Sequence, residues 1–444
     1  MVGDWQEATV GEIASLARNS LVGGPFGSNL VSRDYSDYGV PVIRGRNMDQ
    51  RWIGGEFVYV RPEKADALGA NVARPGDIVF TQRGTLGQVS LVPEKPFARY
   101  LLSQSQMKLT VNSAKADPVF IYYFFRSPPQ EAVIRQNAIQ TGVPHINLGI
   151  LRELPVPLPP LREQRAIAQI LGTLDDKIEL NRSINNTLDS IVQALFKSWF
   201  VDFDPVRAKA EGRTPGLQKS LAKLFPNSTE ASELGGIPAG WKVAGVSELA
   251  TIVGGSTPST KEPAFWDGGC HHWVTPRDLS HLRDPVLLDT ERKISALGLG
   301  QIGTGLLPVG TVLLSSRAPI GYLAIAEIPV AINQGFIAMI PRDGVPNLFL
   351  LFWARWAHEQ IVSRANGSTF LEISKSAFRP IPVIRPPLPI LAAFERIVRP
   401  LYSRMVVNVR ESRTLSALRD TLLPKLISGE LRIRDAERII ERQV

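Results

Sequence analysis

Between Leu161 and Phe200 the apolar residues fall on two lines, each stepping seven positions at a time. One line is Ile167, Leu174, Asn181, Leu188 and Leu195; beside it run Leu171, Ile178, Val192 and Trp199, interrupted at Asn185. No proline breaks the pattern and Gly172 stands alone, so the spacing predicts one long amphipathic helix. At 1.5 Å per residue it would reach roughly 58 Å, too long for one small core and in need of a partner. A shift of 227 residues supplies one: Phe394, Leu401, Asn408, Leu415 and Leu422 repeat the seam over residues 388–426. Paired antiparallel about their midpoints, the helices bring Asn181 to Asn408 and leave every other layer apolar. A buried Asn weakens a coiled-coil seam and fixes its register, because a slipped alignment strands its amide. The alternative is two unrelated helices whose asparagines face water. Pro400 lies inside the second pattern and predicts a kink, with Pro424 near the helix end before Gly429.

The rest of the chain repeats as well. Trp5 with Val10-Gly11-Glu12-Ile13-Ala14 returns 236 residues later as Trp241 with Val246-Ser247-Glu248-Leu249-Ala250. Gly76-Asp77-Ile78-Val79-Phe80-Thr81-Gln82-Arg83 returns at 234 as Gly310-Thr311-Val312-Leu313-Leu314-Ser315-Ser316-Arg317. Two diverged copies whose loops differ in length account for the falling offset. Short β-type runs (residues 40–43, 77–81 and 106–111) alternate with turns and one aromatic helical stretch, residues 119–126, which predicts an α+β domain. Pro155-Val156-Pro157-Leu158-Pro159-Pro160 reads as a stiff extended hinge.

The predicted organisation is therefore two similar α+β domains separated by two long antiparallel coiled-coil helices, with an internal pseudo-two-fold repeat. Residues 1–157 form the first domain, 158–203 the first helix and 204–240 a polar linker with a short helix at 217–224. Residues 241–385 form the second domain, 386–428 the second helix and 429–444 a C-terminal tail. Duplex DNA has a two-fold backbone, so such a repeat can set one domain on each of two half-sites with the helices as a ruler.

Composition narrows the class. The 44% hydrophobic and 21% charged content is that of an ordinary globular protein. No apolar run exceeds the length of residues 119–125, far short of a bilayer span, no signal-peptide pattern opens the chain, and a single cysteine, Cys270, fits a reducing cytoplasm. A net charge of +8 and a pI near 9.6 point to a polyanionic partner.

Motifs for catalysis are sparse. There is no phosphate-cradling G-x-x-x-x-G-K-[ST] loop and no Asn/Asp-Pro-Pro-aromatic tetrapeptide of an amino-methyltransferase, and Gly23-Gly24-Pro25-Phe26-Gly27 follows no clear strand. Cys270-His271-His272 is the best metal candidate, but adjacent residues point apart and no second ligand pair completes a tetrahedron. No metal site and no catalytic residue is assigned. Binding residues are better placed. Arg44, Arg46 and Asn47 follow one strand, and Gln82, Arg83 and Thr85 follow another, with Thr275, Arg277, Ser316 and Arg317 as counterparts. Arg suits guanine edges and phosphates, Asn and Gln suit adenine, and Thr and Ser touch either. Solvated turns, or structural ion pairs for Arg83 and Arg317, are the alternative.

These segments resemble the specificity (S) subunit of type I restriction–modification systems across nearly the whole chain. The resemblance rests on Pro159-Pro160-Leu161-Arg162-Glu163-Gln164, Leu174-Asp175-Asp176-Lys177-Ile178-Glu179 and Ala194-Leu195-Phe196-Lys197-Ser198-Trp199-Phe200-Val201-Asp202-Phe203-Asp204-Pro205. It rests also on Gly236-Ile237-Pro238-Ala239-Gly240-Trp241 and Gly367-Ser368-Thr369-Phe370. It implies two target-recognition domains that read the halves of a bipartite, asymmetric DNA sequence without a catalytic centre of their own. It implies partners too: two methyltransferase (M) subunits using S-adenosylmethionine and restriction (R) subunits using ATP and Mg, so no cofactor is expected on this chain. By the same resemblance Glu163, Gln164 and Trp199 are candidates for scaffold or partner contacts. Glu163-Gln164 maps to Ile390-Leu391, so those contacts are expected to differ at the two ends. A stand-alone DNA-binding or regulatory protein, or a single-chain nuclease or methyltransferase, are the competing functions.

Overall fold

The computed structural model describes residues 5–317, 319–367 and 371–441, so the Gly367-Ser368-Thr369-Phe370 motif lies outside the described residues beyond its glycine. It divides into two compact units, Met1–Glu179 with Arg413–Val444 and Leu180–Ser412, and the division passes through both long helices.

In the first unit, Gln6–Thr9 pairs antiparallel with Pro155–Leu158. The proline-rich hinge is thus half strand: Pro155 and Pro157, two apart, place both missing N–H groups on one side, which a two-stranded pair can leave unbonded. Four antiparallel strands follow, in the order Leu21–Gly23, Gln106–Leu109, Ile78–Thr81, Val89–Leu91. A five-stranded mixed sheet places Val40–Ile43 parallel to Tyr100–Leu102. Val40–Ile43 and Ile78–Thr81 are buried at every position, as near-continuous apolar strands should be. The helix Pro118–Arg126 starts with Pro at its first turn and Asp117 accepting from the N–H groups of Val119 and Phe120.

The second unit repeats this plan. Lys242–Gly245 pairs with Pro382–Arg385, a five-stranded sheet contains Val312–Ser315, and a three-stranded sheet sets His271–Val274 parallel to Val330–Ile332. Asn347–Trp356 takes the place of the aromatic helix.

The long helices run Leu161–Phe200 and Leu388–Ile427. The second passes through Pro400 and Pro424 unbroken; Pro400 is exposed, so the carbonyl its ring leaves without a donor can reach water. In the second unit Leu188, Val192, Leu195, Phe196 and Trp199 pack with Leu391, Phe394, Val398, Leu401 and Met405. Asn181 near Ser412 and Trp199 near Phe394 make that pairing antiparallel. In the first unit Ile167, Leu171, Leu174 and Ile178 share a core with Leu415, Leu418, Leu422 and Leu426.

The polar layer differs from a simple Asn–Asn pair. Asn181 donates to Glu411 Oε2 at 2.8 Å and lies only loosely against the Asn408 carbonyl, at 3.5 Å. Asn408 instead donates to Asn185 Oδ1 at 2.8 Å. Staggered helices bring the second-line Asn185 into the layer, so three buried amides replace the expected two.

Residues 204–240 are folded where composition suggested a linker. They hold the helices Asp204–Ala210 and Lys219–Ala222 and the hairpin Thr229–Ser232 with Gly235–Pro238. Val206, Phe225 and Ile237 are buried, so a few apolar residues hold an otherwise polar segment down. Residues 429–444, expected as a tail, include the helix Ile433–Glu441 with Ala436 buried.

Candidate nucleic-acid interface

In each domain the candidate residues gather on two strand ends and the turn between them. In the first, Val40–Ile43 leads into a short turn, Gly45–Asn47. Asn47 accepts from the Arg44 N–H at 3.1 Å and donates to the carbonyls of Gly54 and Glu56, both at 2.9 Å. It is buried, so the expected adenine reader is a turn brace with no amide to offer a base. It leaves Arg46 exposed, held by the Glu56 carbonyl at 3.2 Å with the Glu56 carboxylate at 3.9 Å. Arg44 is half-buried, and its Nε and Nη2 have no hydrogen-bond partner among the described residues.

The second domain repeats the device with other residues. After His271–Val274, Asp278 accepts from both the N–H and the hydroxyl of Thr275 at 2.7 Å, and from the Glu291 N–H at 2.7 Å. Thr275 is therefore a helix cap and not a reader, whereas Arg277 is exposed, 3.4 Å from Glu291. Asn47 and Asp278 do the same work, as do the Arg46–Glu56 and Arg277–Glu291 pairs.

The middle turn was missed by sequence reasoning. Ser103 donates its N–H to the Ile43 carbonyl at 3.0 Å, and Gln82 donates its N–H to Ser105 at 2.7 Å. The turn thus joins the end of one sheet to the end of the other. In the second domain Asn333 bonds Val274 at 3.1 Å, and Ser316 bonds Gly335 at 2.8 Å. Gln104 and Gln334, both exposed, stand at the tips. The Gln104 amide donates to the carbonyls of Gly27 and Leu30 at 2.8 and 2.9 Å, and Gln334 is bonded to the Thr257 hydroxyl. Gly24 and Gly255 explain the unassigned glycine loop: a Cβ at either would lie 1.8 Å from the Ser103 or Ile332 carbonyl oxygen. A search for Ser-Gln and Asn-Gln after matched apolar strands would have found this turn.

Past the second strand end the candidates divide. Gln82 is half-buried with Oε1 unpartnered among the described residues, and Arg83 and Thr85 are exposed. Ser316 is 3% exposed and bonded through its backbone on both sides, so it cannot read a base edge. Arg317 lies 3.5 Å from Glu372, the ion pair held open as its alternative. A returning loop crosses here in both domains, bridging Arg83 to His145 and Arg317 to Glu372. The same 227-residue shift that relates the helices relates His145 to Glu372, and would have pointed to this loop.

Two partner-contact candidates face inward. Gln164 is 1% exposed; it accepts from the Asp117 N–H at 2.9 Å and donates to the Pro159 carbonyl at 2.8 Å, pinning the first long helix to its domain. Trp199 is buried against Phe225, with ring centroids 5.0 Å apart. Glu163, at the helix entrance, remains partly exposed. His272 turns to Thr290 at 3.2 Å, and among the described residues no group of three or more His, Cys, Asp or Glu could hold a metal. No described helix is long and apolar enough to cross a membrane.

The sequence matches the family described as the type I restriction modification DNA specificity domain over residues 3–190 and again over 238–401. It is 27% identical to the type I restriction enzyme HindI specificity subunit of Haemophilus influenzae, covering 97% of this chain and all of that one. The MjaIX specificity subunit of Methanocaldococcus jannaschii is 38% identical over 157 residues, 35% of this chain and 36% of that one. The fold is similar to the crystal structure of the type I restriction–modification S subunit from M. genitalium, with a TM-score of 0.59 at 18% identity, covering 96% and 97% of the two chains. This chain belongs to the family of type I restriction modification DNA specificity domains and carries that domain twice.

Proposed function

We propose that this chain is the non-catalytic DNA-specificity subunit of a cytoplasmic type I restriction–modification complex. Each domain reads one half of a bipartite, asymmetric target, and the paired helices set the spacing between the halves. Two methyltransferase subunits and the restriction subunits assemble on it and bring S-adenosylmethionine, ATP and Mg. One observation carries this reading: both copies of a DNA-specificity domain present an exposed arginine on a braced turn at the same strand end, Arg46 and Arg277. Stability gives little reason to repeat an exposed ion pair, which is worth about 0–1 kcal/mol.

The test is single-molecule methylome sequencing of cells expressing the chain with its cognate methyltransferase. The expected result is adenine methylation in a two-part word with a fixed spacer. A single uninterrupted word, or no methylation beyond that of the methyltransferase alone, would sink the proposal.

A further inference from the structure

We infer that the residue facing the strand-end arginine on the returning loop, His145 in the first domain and Glu372 in the second, makes the two domains select different bases. The inference rests on the DNA-reading role proposed above.

The backbone pairings of these two residues match. His145 bridges both Arg83 and Ile139, and Glu372 bridges both Arg317 and Asn366. The next residue donates its N–H to the strand-end carbonyl at 3.0 Å in each case, Ile146 to Gln82 and Ile373 to Ser316. Two side chains so placed present themselves alike, and both are partly exposed.

Several of their neighbours are shared by the two domains. Arg83 and Arg317, Arg46 and Arg277, and Gln104 and Gln334 are the same residue type in both domains, so by type alone they do not distinguish one half-site from the other. Asn47, Thr275 and Ser316 are removed by burial or capping. Gln82 differs too, from the buried Ser316, as does the exposed Thr85; of the accessible differences, the imidazole against the carboxylate is the one bridged to the shared strand-end arginine.

The chemistry separates accordingly. A carboxylate only accepts, repels phosphate and suits the N4 amino group of cytosine. Glu372 lies 3.5 Å from Arg317 Nη1, so the pair presents donors beside an acceptor, matching guanine O6/N7 and cytosine N4 of one G·C pair. Arg83 has no ion-pair partner among the described residues, and His145 Nδ1 lies 3.1 Å from the Val143 carbonyl. A carbonyl can only accept, so that contact makes Nδ1 the proton-bearing nitrogen of the neutral ring and Nε2 its acceptor.

The experiment measures binding of the assembled complex to duplexes carrying every base at each target position. Glu372→Gln, equal in size, should cut discrimination at one base pair of one half-site by about tenfold and leave the other half-site unchanged. Glu372→Asp, which keeps the acceptor, should retain part of the discrimination. His145→Glu should shift preference at one base pair of the opposite half-site. Unchanged discrimination in the Glu372 variants overturns the inference. So does an equal loss on every sequence, the mark of a phosphate or structural contact. If the unaltered complex shows no bipartite preference, the failure belongs to the proposed function instead.

Discussion

In the first unit the helix pair meets its domain through Asp175, which accepts from the Tyr123 hydroxyl and from Arg419 Nη1, both at 2.6 Å. Arg51 adds an ion pair to Asp176 and a bond to the Gly172 carbonyl. In the second unit rings fill the seam, Phe196, Trp199, Phe200 and Phe394, with Phe200 and Phe394 5.0 Å apart edge to face, beside one ion pair to the domain, Arg355 to Asp189 at 2.8 Å. The seam of the first unit is aliphatic throughout, from Ile167 to Leu426. Two copies of one backbone plan are thus held by different chemistry. A core demands volume and satisfied polar groups more than particular residues, so duplicates can diverge in their anchors while keeping register. The anchors should nevertheless fail under different insults.

Truncation should hurt the ring-filled unit most. Trp199→Ala removes a side chain that is 1% exposed and should cost about 3–5 kcal/mol. Urea unfolding followed by tryptophan fluorescence checks this, because six of the eight tryptophans lie within Leu180–Ser412. A loss under about 1 kcal/mol would mean the rings are not what holds the pair.

Alkaline pH should hurt the hydrogen-bonded unit first. Burial, with Asp175 adding to it, pushes the Tyr122 phenol up to about 12, and the same causes raise Tyr123 further. A phenol raised when folded holds its proton longer than in the unfolded chain. Its stabilisation is therefore complete below the ordinary value of 10 and is lost as pH climbs through the folded value. At about 1.4 kcal/mol per unit, Tyr122 alone should remove roughly 2–3 kcal/mol between pH 10 and 12. Tyr402, buried beside Glu327, acts with the same sign in the second unit, but singly among its described tyrosines. Circular dichroism should therefore fall at lower pH than tryptophan fluorescence changes; coincident transitions would erase the distinction. Asp175→Asn sharpens it at neutral pH. The change weakens the Arg419 and Tyr123 bonds and should cost about 2 kcal/mol, since a hydrogen bond to a charged group is worth about 1.5–3. It should also reduce the alkaline sensitivity, because the carboxylate that disfavours both phenolates is gone.

Sequence periodicity located the seam because a seven-residue repeat is a geometric constraint that burial must obey. Ile167, Leu174, Phe394, Leu415 and Leu422 are all buried. The second apolar line likewise placed Trp199, which is buried, whereas Gln164 lies on neither line and its burial comes from the polar groups it bonds, the Asp117 N–H and the Pro159 carbonyl. At the interface, residue type was the wrong guide. Asn47 and Thr275 are what a base reader needs and equally what a turn cap needs, and only their partners separate the two roles. Arg46 and Arg277 were legible because a strand run followed by a turn puts a long side chain outside. His145, Glu372, Gln104 and Gln334 lie in segments without period, where the repeat offset was the one available signal.

The finest contrast between the two helices is at Pro400, whose counterpart in the first helix is Thr173. The proline sits in the helix interior, lacks an N–H and is exposed, whereas Val398 and Tyr402 on either side are buried. Ala is better than Pro in a helix by about 3 kcal/mol, while losing proline frees the unfolded chain by roughly 0.4–1 kcal/mol. The unbroken native helix has already absorbed part of the clash, so Pro400→Ala should stabilise by about 1–2 kcal/mol. The denaturant midpoint should rise with an unchanged slope. A neutral or destabilising result would show that the second helix needs the bend that proline favours. The Phe394 and Met405 packing on either side would then be shaped to a curved rod and not a straight one.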